Sequence, residues 1–434
     1  MPSKRFPRWD TSTFPVELKV MIELLSDKRT PCVCPDPNPS DGFDWRKFAE
    51  LAVHHRVHPF ILRRLRLGWP TDMPQAVLNR LEAQCRNNTI RMLQLTAETG
   101  RLAGLFRERN IRMLVLKGPA LSLDLYGDPA LRPSGDVDLL VPFADIGEAD
   151  RLLRNQGYVK DDYIRTVLGD WRWRHHHYAF FHPQTGAKIE LHWRMHPWPA
   201  REPAFDMLWE RRRTMMIGGR PVELPGLEDM FLYLASHGAR HGWSRLRWLL
   251  DIDRLARQPL RWERVDDEAR RHECAHLCGQ ALRLAAGLLG TPTPAGAARM
   301  AEHPRAHELA EAALFYIGRV INLHSPPLPP EVARYHSRHL LRLMTPRQRI
   351  LFRLSWLHPY HADAESLPLP KNLHFLYFPL RPVIWACRKA HRPVIRAWRM
   401  VHRPVIRAGR KMLGPVIRVR RKSRVPARPG GGPA

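Results

Sequence analysis

The sequence predicts a chain of mixed α+β class: a small α/β core with a mixed sheet, flanked by N- and C-terminal helical segments and ending in a basic tail. Three observations carry that prediction. Apolar residues recur at helical spacing on both sides of residues 111–220, where they give way to short apolar runs bounded by turn residues. Within that stretch, strand signals are interleaved with helix signals, as an α/β unit requires. The stretch 381–434 holds sixteen Lys or Arg and no Asp or Glu, which sets it apart from everything before it.

Residues 1–42 read as an irregular, proline-rich lead-in. Its end, Pro31-Cys32-Val33-Cys34-Pro35-Asp36-Pro37-Asn38-Pro39, sustains neither a helix nor a ladder. Residues 43–110 form a helical segment in which Phe48, Leu51 and Ala52 share one stripe. A longer helix from about residue 74 to 109 follows, with Leu78, Leu81, Cys85, Leu102, Leu105 and Phe106 apolar.

Residues 111–220 are the core. A strand at 113–116 ends in Lys117-Gly118 and leads into a helix over 120–126, and a second strand spans 137–141. A helix opened by Asp145 closes at Gly157, and strands at 178–181 and 188–193 flank the turn Pro183-Gln184-Thr185-Gly186 as a hairpin. Residues 221–345 read as an all-helical domain, with Met230, Leu234, His237, Leu246, Trp248, Leu249 and Ile252 on its apolar faces.

The remainder, 346–434, is a linker and a repeat tail. The units Arg381-Pro382-Val383-Ile384, Arg392-Pro393-Val394-Ile395, Arg403-Pro404-Val405-Ile406 and Gly414-Pro415-Val416-Ile417 recur every 11 residues. Eleven residues make three helical turns, which would align the Val-Ile pairs, whereas a proline in each repeat interrupts a continuous helix.

Seventy Lys and Arg against forty-two Asp and Glu leave a formal charge of +28 on 434 residues, so the partners indicated are polyanions. The tail supplies sixteen of those charges and would bind nucleic acid or an anionic membrane surface by counterion release. Six unevenly spaced cysteines make no disulfide framework and are read as reduced thiols. No signal-like or membrane-spanning apolar stretch occurs, which implies a cytoplasmic protein, with peripheral membrane attachment open to the tail.

The chemistry concentrates at Gly135-Asp136-Val137-Asp138-Leu139-Leu140-Val141. Alternation along a strand sends Asp136 and Asp138 to one face and Val137 and Leu139 to the other. Two carboxylates that close repel unless a cation neutralises them, and hard oxygen donors suit Mg²⁺. Glu190, flanked by Ile189 and Leu191, stands where a third ligand of a two-metal site would sit. His192 shares the face of Glu190, so it would either take a proton from an acceptor hydroxyl or serve as a hydrogen-bonded structural group. Lys117 and Arg132 are candidates to neutralise a polyphosphate, one as a point charge and the other as a bidentate fork. In His175-His176-His177, alternation turns the middle residue away from its neighbours, which argues for a structural or substrate-adjacent run. Cys274 and Cys278 share a helix face among leucines and read as core thiols.

The order Leu116-Lys117-Gly118, then Arg132 with the Gly135-to-Val141 run, then Ile189-Glu190-Leu191-His192-Trp193, resembles the uncharacterised nucleotidyltransferase family of the polymerase β superfamily. The resemblance extends from Phe43-Asp44-Trp45 and Val57-His58-Pro59 to Ala235-Ser236-His237-Gly238 and Arg247-Trp248-Leu249-Leu250-Asp251, covering roughly residues 43–290. It implies a minimal nucleotidyltransferase core in which Gly118 contacts the phosphates of an NTP. Asp136, Asp138 and Glu190 would hold two Mg²⁺ there, and a nucleoside monophosphate would pass to a hydroxyl of a small molecule or protein with release of pyrophosphate. Pro119 stands where the superfamily carries serine. The alternative is a non-catalytic nucleotide- or polyanion-binding protein that keeps the fold.

Overall fold

The structure is a computed structural model that describes residues 9–26, 43–67, 73–323 and 327–388. Cys32-Val33-Cys34 and the repeats after Ala386 lie outside the described residues. The chain divides into two compact units, one of 1–164 with 171–353 and one of 165–170 with 354–434.

In the larger unit, α1 (Val16–Leu25) lies inside the stretch expected to be irregular. Pro15 at its N-cap starts the helix, and Leu18, Met21, Ile22 and Leu25 bury its apolar side, a pattern that the proline content on either side obscures. Next come α2 (Trp45–His54), capped by the Asp44 side chain, and α3 (His58–Arg66), with proline in its first turn. The long α4 (Gln75–Glu108) ends the opening helical segment.

The core then runs β1 (Leu114–Val115), α5 (Pro119–Tyr126), β2 (Val137–Leu140), α6 (Ile146–Asn155), β3 (Val159–Lys160), α7 (Trp171–Arg174), β4 (His177–Phe181) and β5 (Lys188–His192). The sheet order is β1-β2-β5-β4-β3. Only β2 and β5 pair in parallel and the other pairs are antiparallel, so the sheet is mixed. One face carries Val137, Leu139, Ile189 and Leu191 into a core shared with Leu102 and Phe106 of α4 and Ala149 and Leu153 of α6.

After α8 (Phe205–Glu210), β6 (Arg213–Ile217) and β7 (Arg220–Leu224) form a separate hairpin. The sequence reading lacks this hairpin, although Gly218-Gly219 between two apolar-rich runs is a two-residue turn signal. It also explains a glycine within α4: a Cβ at Gly100 would stand 2.5 Å from the carbonyl oxygen of Ile217, so only glycine lets the hairpin backbone approach the helix.

The helices α9 (Leu227–Arg240), α10 (Leu246–Ala256), α11 (Trp262–Arg271), α12 (Ala275–Leu289), α13 (Ala298–Ala301), α14 (Pro304–Ile317), α15 (Pro330–Leu343) and α16 (Pro346–Leu354) follow. The sequence reading separates the helical stretch as its own domain, yet it shares the compact unit of the sheet. Leu114, Leu116 and Leu140 join Leu234, Leu249 and Leu282 in a single apolar cluster, so neither part closes its core alone. Cys274 and Cys278 are buried in that cluster, as expected of core thiols.

In the smaller unit, α17 (His361–Ser366) and helical residues 377–388 surround a small core of Val167, Tyr377 and Ile384. The first tail repeat is therefore helical through Pro382, and Arg381 and Arg388 both pair with the buried Asp363. Among the described residues, no helix is long and apolar enough to cross a membrane.

Buried histidines make the larger unit acid-sensitive. Burial pushes His58, His276 and His339 down to about 4, against one backbone hydrogen bond each that favours the charged form. Folded-state values below the unfolded value of about 6.5 mean full stability above that pH and progressive loss as pH falls toward 4, because only the unfolded chain takes up the protons. We expect each to cost about 1.4 kcal/mol for every pH unit in that window. Urea unfolding at pH 7.5 and 5.5 measures it, and equal midpoints would contradict it.

Candidate functional site

The parallel register sets Asp138 directly opposite Glu190, with Val137 opposite Ile189 and Leu139 opposite Leu191. Because both strands alternate in phase, the apolar partners share one face and the carboxylates share the other. Asp136, just ahead of β2, reaches the same face. Gly118, at the N-cap of α5, has φ +90°, and a Cβ there would lie 3.1 Å from the Asp136 carbonyl oxygen. A glycine is therefore needed to bring the β1–α5 turn against the start of β2. Pro119 takes the first helical position, where its missing N–H costs no hydrogen bond.

Three side-chain cations stand among these three carboxylates. Lys117 Nζ is 3.0 Å from Asp138 Oδ1, and Lys188 Nζ bridges Glu190 Oε1 at 2.6 Å and Asp136 Oδ2 at 3.4 Å. His192 Nε2 lies 3.2 Å from Asp138 Oδ1 and 3.7 Å from Glu190 Oε2, while its Nδ1 faces the Arg194 carbonyl at 3.2 Å. Both ring nitrogens therefore face acceptors, which demands a proton on each. Burial opposes that charge, but the two carboxylates raise the imidazole to about 9.

The same partners shape the other groups. Burial favours a neutral Asp138, yet Lys117 and then His192 hold it below the usual carboxylate range, and His192 does the same for Glu190. Asp136 moves upward through burial and its two acidic neighbours. Lys117 and Lys188 keep raised values despite burial because the carboxylates surround them.

The cluster opens into a cavity of about 670 Å³. Lys117, Asp136, Lys188, Glu190 and His192 line it, and so do Arg56, Arg240, Arg245 and Arg247. Such a volume is that of a small-molecule site, and its charge suits an anionic ligand. The acidic residues fit a hard cation as well: Asp138 and Glu190 present carboxylate oxygens within 4.8 Å of each other and of a His192 ring nitrogen, which could join them only by giving up its proton. Asp138 Oδ2 is buried and has no hydrogen-bond partner, which leaves a carboxylate oxygen available where a cation would bind.

Most of the sequence candidates meet here, with three corrections. Arg132 is fully buried, does not line the cavity, and donates from Nε to both oxygens of Asp251 at 2.9 Å. Its charge serves the junction with α10, because Asp251 also accepts from the Tyr126 hydroxyl at 2.9 Å, and the polyphosphate fork expected of it is absent. The acceptors around His192 favour its charged form, which supports the hydrogen-bonded structural role over the proton-accepting one. Third, β4 begins only at His177, so strand alternation does not govern His176. Its Nε2 lies 3.2 Å from His177 Nδ1, and both rings line the cavity with His192.

The sequence reading passed over Lys188, Tyr233 and the arginines. Lys188 could have been found by period-two alternation from Glu190, whereas Arg56 and Arg245 carry no local signal.

Residues 41–290 match the model of a family described as uncharacterised nucleotidyltransferase. No curated protein matches the chain. Among solved structures, an antigenic nucleotidyltransferase-like protein from Paracoccidioides brasiliensis is similar at 21% identity, over 38% of this chain and 75% of that one, with a TM-score of 0.26.

Proposed function

Because the chain belongs to the uncharacterised nucleotidyltransferase family, its sequence matching over residues 41–290, we propose that it transfers a nucleoside monophosphate from an NTP to a hydroxyl group. The acceptor is a small molecule or a protein side chain. The observation that carries this reading is the pairing of Asp138 with Glu190 across parallel strands: Glu190 and Asp136 line a cationic cavity, and Asp138, fully buried behind that lining, has Oδ2 left without a partner.

Asp136, Asp138 and Glu190 are the residues that would hold Mg²⁺, in a two-metal site. When bound, the metal would polarise the α-phosphate and screen the charge that builds on the leaving pyrophosphate. The acceptor oxygen forms a bond to the α-phosphorus as the bond from that phosphorus to the α–β bridging oxygen breaks. The electron pair leaves with pyrophosphate, and the hydroxyl proton passes to solvent at the cavity mouth. Lys117 keeps one positive charge on Asp138, and His192 holds the orientation of Asp138 and Glu190 through its Nε2. Lys188 neutralises Asp136 and Glu190 and competes with an entering cation for the same oxygens.

The balance of three cations against three carboxylates also favours a second reading, nucleotide binding without transfer. One assay separates the two. Incubating the full chain with each of four α-labelled NTPs, Mg²⁺ and cell extract should move label to an acceptor and release pyrophosphate, and Glu190→Ala should abolish both. Magnesium-dependent NTP binding with no pyrophosphate, or equal labelling by Glu190→Ala, would overturn the transfer reading.

A further inference from the structure

The cavity has a second charged wall that the carboxylate chemistry does not use. Arg56 lies in the turn between α2 and α3 with φ +55°, a left-handed conformation that costs a non-glycine residue energy and persists only where neighbours hold it. Here the neighbours are on the page: His55 Nδ1 accepts from the Leu246 N–H at 3.3 Å, and the His55 carbonyl accepts from the Arg247 N–H at 3.3 Å. These bonds stitch the α2–α3 turn to the start of α10. They place Arg56 beside Arg245, the N-cap residue of α10, and both side chains line the cavity.

Two guanidinium groups side by side repel, and proteins normally offset this with a carboxylate. Among the described residues, no ion pair or hydrogen bond engages either side chain, although Arg245 is only 9% exposed. Burial and then the charge of Arg56 depress Arg245 to about 10, and the carboxylate that Arg56 senses is Asp136, which lines the same cavity. Arg240 stands at the exposed rim, and Arg247, tied to the Pro133 carbonyl, completes the wall. A pair of like charges with no ion-pair partner among the described residues, one of them nearly buried, on the cavity that a candidate metal cluster also lines, fits the polyanionic part of a substrate whose reacting phosphorus sits at that cluster.

We propose that Arg56 and Arg245 bind the β- and γ-phosphates of the nucleoside triphosphate, so that the grip on the leaving group comes from the helical elements and not from the turn at Gly118 and Pro119. This inference rests on the nucleotidyl-transfer reading for the identity of the ligand. It does not depend on turnover. The α2–α3 turn and the start of α10 then have a chemical reason to share a unit with the sheet, since they supply cationic lining to the cavity that the carboxylates line.

Calorimetry on the full chain tests it, with inorganic tripolyphosphate and MgATP as probes at about 0.3 M salt, which weakens long-range attraction by the charges of the basic tail sequence. The variants are Arg56→Gln/Arg245→Gln and the charge-keeping Arg56→Lys/Arg245→Lys, each checked by thermal unfolding. The glutamine pair should weaken both probes at least about thirtyfold, and the lysine pair should recover much of the loss for tripolyphosphate. Unchanged affinity in a folded glutamine pair, or a wild-type chain that binds neither probe, would overturn the proposal. Pyrophosphate release is scored separately: loss of tripolyphosphate binding in the variant supports the arginine wall even where the wild-type chain transfers nothing.

Discussion

Replacing Asp138 by asparagine should lower pyrophosphate release by roughly a thousandfold at saturating NTP and Mg²⁺. The side chain keeps its shape, so the effect isolates charge. Asp138 is the carboxylate on which the site converges: Lys117 approaches Oδ1 at 3.0 Å, His192 approaches it at 3.2 Å, and Oδ2 is left for a cation. An amide can keep its one, weaker oxygen toward Lys117 and His192, but it then puts an NH2 donor at the position of Oδ2, where the cation would bind. Stability should fall as well, because the buried Lys117 and His192 lose the negative charge that offsets theirs. Asp138→Glu keeps the charge but displaces it, and should recover stability more than turnover. Turnover of Asp138→Asn within tenfold of the wild-type chain would remove Asp138 from the reaction.

The second large effect concerns stability alone. Arg132→Met should destabilise the larger unit by about 3–5 kcal/mol, since it strands the buried carboxylate of Asp251. The double variant Arg132→Met/Asp251→Leu should recover most of that loss. Two nitrogens of the Arg132 guanidinium are buried without hydrogen-bond partners, so the pair offsets its own desolvation incompletely and an apolar replacement has little to lose. A double-mutant cycle in urea measures the coupling. A double variant as unstable as the sum of the single variants would show the two residues acting independently. Affinity for tripolyphosphate should be unchanged in Arg132→Met, in contrast to the cavity arginines.

Arg132 also marks where the limits of the sequence lie. Four residues before Asp136, it has the charge and the position of a phosphate ligand. Its partner, however, is Asp251, more than a hundred residues later, and no local pattern encodes which of several carboxylates an arginine will reach. Arg56 and Arg245 show the converse. Neither stands near a motif, yet two hydrogen bonds that His55 accepts from the start of α10 bring them to one cavity. His192 lay between these cases: alternation correctly placed it with Glu190, but its protonation was fixed by the Arg194 carbonyl and the Asp138 carboxylate on its two sides.

By itself the sequence determined the mixed α+β class, the helices of the flanking segments, the strand carrying Asp136 and Asp138, and the later strand carrying Glu190. These follow from periods of two and 3.6 and from turn residues, all of which act over a few positions. The tertiary structure alone decided that β2 and β5 pair in parallel register, that helices and sheet close one core, and that Lys117, Lys188 and His192 neutralise the carboxylates for which the sequence had called only on metal. Register, burial and counter-ion choice depend on which segments meet, and that is settled by packing over the whole unit.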